Sequence, residues 1–454
     1  MRDAILAVDI GTSSLKAALV DASGTVIASV RRRFPDSPRV PGHWTAAFRE
    51  AADFLLDASA REPAATRPRP AAVAVSGNGP TLVAASQRGD GPILLWNDPI
   101  DAISKQGAAS PQGAISAQGA ISARGAGRSL FIPRIDAFRR LFPADYEAAR
   151  WLLSGPEYLV YALTGVAVTI LPDPRYSETY WTDDDLSRAG LDAAKMPPFV
   201  PLGAVAGECG AGAKTGRERP GVGLHPALEG LPVIACGPDF LVALAGTGAV
   251  RPGLACDRAG TSEGLNVCVA SPVTAPDIRA LPSIVPELWN ASYLLPETGR
   301  RFHDYRASSG LSYRGYPEIM AEIEASPLLP RAGETLHPGR ALVEDIGFSV
   351  RRGVDALEKA TGFARELRLS GGQARNEAWN RIKASLADAT LVLTSTADGE
   401  LMGNAAISFA TLGAYPSVTA ASEAMVRVAR RYEPEAAVRE TYADKYRAWL
   451  GGAR

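Results

Sequence analysis

Apolar residues follow two rhythms along this chain. Residues 4–8, Ala4 to Val8, are an unbroken apolar run, the pattern of a strand buried on both faces. The run ends in D-I-G-T-S-S at 9–14, and L-K-A-A-L-V at 15–20 reads as a second strand. D-A-S-G at 21–24 is a turn and T-V-I-A-S-V at 25–30 a third strand, so the chain is expected to open on a β-meander. A dinucleotide-binding unit would instead enter a helix after its glycine turn. Residues 44–59 carry apolar positions at helical spacing, 71–75 form a strand, and S-G-N-G-P at 76–80 forms a tight loop. T-L-V-A-A and I-L-L-W are expected to continue a sheet as far as Trp96. Residues 137–164 read as helix broken at Pro143, and 231–236 as a buried strand ending in G-P-D at 237–239. Residues 254–269 repeat the strand, glycine turn, strand logic of residues 4–20. Helices are expected at 341–361, 374–389, 401–412 and 422–432. Two halves that open alike suggest two domains, 1–244 and 245–454.

Within the first half the pattern lapses once. Residues 106–129 are four hexads, QGAASP, QGAISA, QGAISA and RGAGRS. So few copies, with Ile115 and Ile121 as their large apolar residues, cannot build a solenoid. A surface segment, flexible or weakly helical, is the expectation.

Composition narrows the class. The 454 residues are 46% hydrophobic and 21% charged, which is ordinary globular usage. Lys plus Arg total 48 against 49 acidic residues, a net charge of -1, so the chain lacks the basic excess of a nucleic-acid or anionic-membrane binder. No apolar run approaches the ~18 residues of a membrane span, and Asp9 interrupts the first one, which argues against a signal peptide. The four cysteines, Cys209, Cys236, Cys256 and Cys268, form no C-x-x-C and read as reduced thiols in a cytoplasmic protein.

The first turn carries the chemistry. G-T-S-S between two strands aims backbone N–H groups and hydroxyls the same way, a concave site for phosphate. Asp9 at the strand end suits a hydrated Mg²⁺, and Lys16 adds positive charge. The plain alternative is a hairpin turn with a capping aspartate. The second loop, G-T-S-E-G at 260–264, occupies the corresponding place in the second half, and two such cradles would grip one nucleotide. The P-loop pattern is absent, and G-T-G-A-V-R at 246–251 lacks the third glycine of a dinucleotide loop.

These motifs come in a distinctive order: D-I-G-T-S-S-L-K, S-G-N-G-P, W-N-D at 96–98, G-P-D at 237–239, A-G-T-S at 259–262, S-G-G-Q-A-R-N at 370–376 and G-E-L-M-G-N-A-A at 399–406. The ordered set closely resembles the FGGY carbohydrate kinases, the family of xylulose, ribulose, gluconate and glycerol kinases, over nearly the whole chain. The resemblance implies an α/β fold of two actin-like (hexokinase-like, ribonuclease H-like) domains with an ATP and sugar cleft between them. Residues 1–244 would bind sugar and hold the first phosphate loop, and 245–454 would bind nucleotide. It also implies ATP and Mg²⁺ as cofactors and a small carbohydrate as partner, with no nucleic acid and no membrane, and leaves a homodimer open.

Residue by residue, Asp239 matches the family's catalytic base, and an aspartate just after a buried strand and a Gly-Pro turn is rigidly placed for that role. Asp9 matches the Mg²⁺-associated carboxylate. Thr12, Ser13 and Lys16 match the first phosphate loop, and Gly260, Thr261 and Ser262 the second. Gly371 and Gly372 match the turn under adenine and ribose, followed by Gln373, with Asn376 in reach of the base or else on the helix surface. On the sugar side, Trp96 resembles the family's tryptophan, against the alternative of a core residue; Asn97 and Asp98 are candidates to bind hydroxyls. Asn78 stands where the family has Gln. Gly79 and Pro80 replace the Met-His of xylulose kinases and the Arg-Glu of glycerol kinases, and Asp101 stands near where the family has an Arg. Departures thus fall on the sugar side while the nucleotide side is intact. The leading expectation is an ATP-dependent sugar or polyol kinase. The alternatives are a catalytically weak ATP- and sugar-binding sensor, or an actin-like ATPase.

Overall fold

The computed structural model describes residues 2–35, 37, 39–61, 63, 67–86, 89–100, 129–211, 223–329 and 335–452. The hexad repeat, apart from Ser129, and Asp101 lie outside the described residues. The chain packs as two compact units, Met1–Val242 with Glu400–Met425, and Ala243–Gly399 with Val426–Arg454.

The first unit is built on β1 (Arg2–Ile10), β2 (Ser14–Asp21), β3 (Val26–Arg33), β4 (Pro68–Gly77), β5 (Leu82–Ser86), β6 (Gly89–Leu94), β7 (Trp151–Leu153), β8 (Thr169–Leu171), β9 (Phe199–Pro201), β10 (Ala204–Glu208) and β11 (Pro232–Pro238). Its main sheet has the order β10-β11-β4-β1-β2-β3. The β1–β2 and β2–β3 pairs are antiparallel, whereas β1–β4 and β4–β11 are parallel. The unbroken apolar run of β1 follows from its central place: Ala4 to Val8 are all fully buried. The helix Gly42–Ala60 lays Trp44, Ala47, Phe48, Ala51, Ala52, Leu55 and Leu56 onto this sheet, the i, i+3, i+4 stripe read from the sequence. Each large apolar side chain so buried contributes ~1.5–3 kcal/mol.

The second unit repeats the plan with β12 (Ala255–Ala259), β13 (Glu263–Val269), β14 (Ile278–Pro282), β15 (Trp289–Leu295), β16 (Glu366–Ser370), β17 (Thr390–Thr394) and β18 (Val428–Tyr432), in the order β14-β15-β13-β12-β16-β17-β18. β12–β13 and β13–β15 are antiparallel; β12–β16 and β16–β17 are parallel. Both units thus carry three antiparallel strands followed by two parallel ones, with β14 added outside β15 in the second. The α/β class is the one the sequence implied.

Three local expectations are corrected. T-L-V-A-A and I-L-L-W do not extend the main sheet; β5, β6 and β7 form a sheet of their own. Both edges of β4 are already taken by β1 and β11, so the strand after the 76–80 loop cannot pair with β4. Residues 137–164 are not one broken helix. Pro143 starts a new helix, Pro143–Ala148; β7 follows; and Ser154 and Glu157 cap the helix Gly155–Thr164, with Ser154 N donating to Glu157 Oε2 at 2.8 Å. Residues 422–432 divide into the end of a helix, Val418–Met425, and β18, whose backbone pairs along β17. A free strand edge overrides the helical spacing there.

Candidate active site

The first unit gathers its candidate residues at the C-terminal ends of its parallel strands, where open α/β sheets bind ligands. Register fixes their rows. Asp9 pairs with Ser76 and Ser76 with Gly237; Ile10 pairs with Gly77 and Gly77 with Pro238. Gly11, Asn78 and Asp239 are the residues that directly follow these last pairs on β1, β4 and β11. Asp239 is half-buried and heads the helix Asp239–Thr247.

Asp9 is 1% exposed and rigidly held. Ser76 Oγ donates to its Oδ1 at 3.0 Å, and Lys16 Nζ, directly across the antiparallel pair, lies 3.1 Å from Oδ2. Lys16 also reaches Glu400 Oε2 at 3.4 Å. Asn404, fully buried, donates through Nδ2 to Val8 O and Ser76 Oγ, both at 2.9 Å. Sequence spacing could not reveal Ser76, Glu400 or Asn404 as supports: Glu400 is 384 residues from Lys16. G-E-L-M-G-N-A-A was the available signal.

The G-T-S-S turn closes with Gly11 N donating to Ser14 O at 2.9 Å, which leaves Thr12 and Ser13 exposed. Thr12 Oγ1 accepts from Asn78 Nδ2 and from Trp96 Nε1, both at 3.0 Å. Three sequence candidates therefore meet on one hydroxyl. Trp96 is half-buried and Asn97 exposed. The Asp98 carboxylate turns back: Oδ2 accepts from Leu95 N and Oδ1 from Arg39, each at 2.8 Å. Arg134, 1% exposed, reaches Leu95 O beneath the same turn, and burial lowers its guanidinium to about 10.

In the second unit, Gly260, Thr261 and Ser262 form the β12–β13 turn, one residue shorter than the first: Ala259 pairs with Glu263, whereas Ile10 pairs with Leu15. Gly260 N donates to Ser262 O at 2.8 Å, and Gly299 N and Arg300 N donate to Thr261 O. Gln373 bridges from Gly260 O, at 3.1 Å, to Trp379 Nε1, at 2.9 Å. A small cavity adjoins it, lined by Thr298, Phe302, Tyr316, Val343, Ile346, Gln373 and Trp379. Of these, Gln373 belongs to the S-G-G-Q motif.

The two glycines of S-G-G-Q have different physical causes. Gly371 has φ +99°, and a Cβ there would lie 2.3 Å from Ala259 O; a Cβ on Gly372 would meet nothing within 4 Å. Gly371→Ala should therefore cost ~1–3 kcal/mol from backbone strain alone and lower the Tm. Gly372→Ala should leave the Tm in place and raise the Michaelis constant for nucleotide, if that surface receives one. Calorimetry with steady-state kinetics on both variants checks this. Asn376 is 4% exposed and caps the helix Glu377–Ala387: its Oδ1 accepts from Trp379 N at 3.0 Å. It is not on a helix surface, because the chain turns through a short 3-10 segment, Gly372–Arg375, before that helix begins.

Beneath the second turn lies a buried charge cluster that the sequence did not signal. Lys383 Nζ bridges Asp257 Oδ2 and, at 2.5 Å, Glu263 Oε1; all three side chains are at most 1% exposed. No hydrogen bond reaches Asp257 Oδ1 or Glu263 Oε2. Burial first, then the Glu263 carboxylate, push Asp257 up to about 7. Its folded value exceeds its unfolded one, so the folded state holds the extra proton. The associated stability is complete below the ordinary aspartate range and is lost as pH rises through about 7. Denaturation at stepped pH should show stability falling across that window by at most ~1.4 kcal/mol per pH unit, and Asp257→Asn should flatten the slope.

Residues 330–412 match the C-terminal domain of the FGGY family of carbohydrate kinases. The chain is also 22% identical to the xylulose kinase of Escherichia coli, with 89% of each chain covered. In these matches the chain is similar to the FGGY carbohydrate kinases. The glycerol kinase of Citrifermentans bemidjiense is 32% identical over 122 residues, 27% of this chain and 24% of the relative. That match spans about a quarter of the relative's own length. The xylulose kinase structure from Rhodospirillum rubrum superposes with a TM-score of 0.71 at 20% identity, covering 99% of this chain and 98% of that one, which shows the fold in common. Among the described residues no helix is long and apolar enough to cross a membrane.

Proposed function

We propose that the chain transfers the γ-phosphoryl group of ATP to a hydroxyl of a small carbohydrate. The observation that carries the reading is Asp9: a buried carboxylate at the end of β1, oriented by Ser76 and Lys16 beside an exposed Gly-Thr-Ser turn. Phosphoryl transfer asks a protein mainly for positioning and for charge, and this corner supplies both.

Thr12, Ser13 and Lys16 hold phosphate in the first unit; Gly260, Thr261 and Ser262 do so in the second. Gly371 and Gly372 form the turn on which adenine and ribose would lie, with Gln373 and Asn376 beside it. Asp239 takes the proton of the attacking hydroxyl, and Trp96 with Asn97 offers a face and an amide to the carbohydrate. Among the described residues no group of three or more His, Cys, Asp or Glu could hold a metal by itself. Asp9 is one hard oxygen donor, which fits a Mg²⁺ that keeps its waters and arrives with the nucleotide's phosphates. Such an ion supplies neutralisation of the charge on those phosphates.

A coupled ADP assay over pentuloses, hexonates and polyols tests the reading. ADP should form with one class of acceptor and not without it. ADP without acceptor would favour an ATPase, and none with any acceptor would sink the transfer reading. Asp9→Ala should weaken turnover and its dependence on Mg²⁺ concentration together; an unchanged Mg²⁺ titration would reduce Asp9 to a hairpin residue.

A further inference from the structure

Four hydrogen bonds in the first unit close into a ring. Trp96 N donates to Thr81 Oγ1 at 3.2 Å; Thr81 Oγ1 donates to Asn78 Oδ1 at 3.2 Å. Asn78 Nδ2 and Trp96 Nε1 then both donate to Thr12 Oγ1 at 3.0 Å. Asn78 turns its amide nitrogen to Thr12 and its oxygen to Thr81, and that orientation sets the directions. Both Trp96 nitrogens and the Asn78 amide nitrogen can only donate, and Thr81 gives its single hydrogen to Asn78 Oδ1. Thr12 Oγ1 thereby receives two donors, one for each lone pair. Its own hydrogen is not consumed by the ring and sits on an exposed turn.

A hydroxyl that can only donate selects a partner that can only accept, and an anionic oxygen takes that hydrogen best. We infer that Thr12 couples the two sides of the site: a phosphate oxygen that accepts from Thr12 tightens its hold on Trp96 and Asn78, and so sets the carbohydrate-facing wall. The inference rests on the phosphate-binding reading of the Gly11–Ser14 turn. Polarisation passes along the chain of hydrogen bonds, since a hydroxyl that donates strongly becomes a stronger acceptor. By reciprocity, a carbohydrate that orders Trp96 strengthens phosphate binding at Thr12. Thr12 is then a positioning residue for the acceptor as well as a phosphate contact, and Asn78 acts through Thr12.

The test uses the full chain, Mg²⁺ and a non-hydrolysable ATP analogue with an imido bridge. Calorimetry reads binding, and tryptophan emission reads the wall. The chain has 7 tryptophans, so subtracting the response of Trp96→Phe isolates the one that matters. Binding should shift Trp96 emission in the wild type. Thr12→Val should abolish that shift and weaken the analogue ~10-fold, while Thr12→Ser, which keeps the hydroxyl, should retain both. Tm measurements on each variant confirm folding. A Trp96 shift that survives in Thr12→Val overturns the coupling, as does analogue binding with no Trp96 response in the wild type; either leaves the kinase reading intact. No binding heat in the wild type overturns that reading and the coupling with it.

Discussion

Asp239→Asn should lower turnover ~10²–10⁴-fold while nucleotide affinity and Tm stay at their wild-type values. The substitution keeps size and shape at the head of the helix Asp239–Thr247, and asparagine is as well suited as aspartate to a helix start. What it removes is the ability to take a proton. The residue directly follows the last paired residue of β11, as Gly11 and Asn78 follow those of β1 and β4. Steady-state kinetics beside calorimetric nucleotide binding separates the effects. A variant that keeps most of its turnover would exclude Asp239 as the base.

Lys383→Met should be the most damaging single change to stability, by ~3–5 kcal/mol. The ammonium is the cation that the Asp257 and Glu263 carboxylates share at full burial, and Met leaves both facing each other without it. The two carboxylates sit on the two legs of the β12–β13 hairpin, so the loss falls on the turn Gly260–Ser262 as well. The triple change Lys383→Met, Asp257→Asn, Glu263→Gln should recover much of the loss, because it removes the buried charges together. Denaturant unfolding measures both. A loss under ~1 kcal/mol in the single variant would mean that the carboxylates accommodate one another without the lysine.

The local signals and the long-range ones differed in what the sequence disclosed. Ala4–Val8, the 44–59 stripe and the paired G-T-S turns could be read because strand burial, helix spacing and turn chemistry act over a few residues. β18 and β7 could not: each exists because a distant strand offers an edge, Thr390–Thr394 in one case and Leu82–Ser86 in the other. The same holds for the site. Asp9, Thr12 and Asp239 announce themselves by motif. Ser76, Glu400 and Asn404, which orient Asp9 and Lys16, become neighbours only once the chain has folded. Asn376 shows a third case, a residue whose type was noticed and whose surroundings were not, since a cap and a ligand contact ask for the same amide.

The division of the chain at Val242 and Glu400 bears on how such a protein can be cut and recombined. Residues 400–425 belong to the first unit although they follow most of the second. A gene fragment ending at residue 242 would encode Asp9, Ser76 and Lys16 without Asn404 or Glu400, and would leave Val8 O and Ser76 without their amide donor. Exchanging the halves between relatives as two contiguous cassettes would therefore graft a foreign Asn404 and Glu400 equivalent onto a native Asp9. A chimera that respects the fold needs a discontinuous insert, with residues 400–425 travelling alongside residues 1–242.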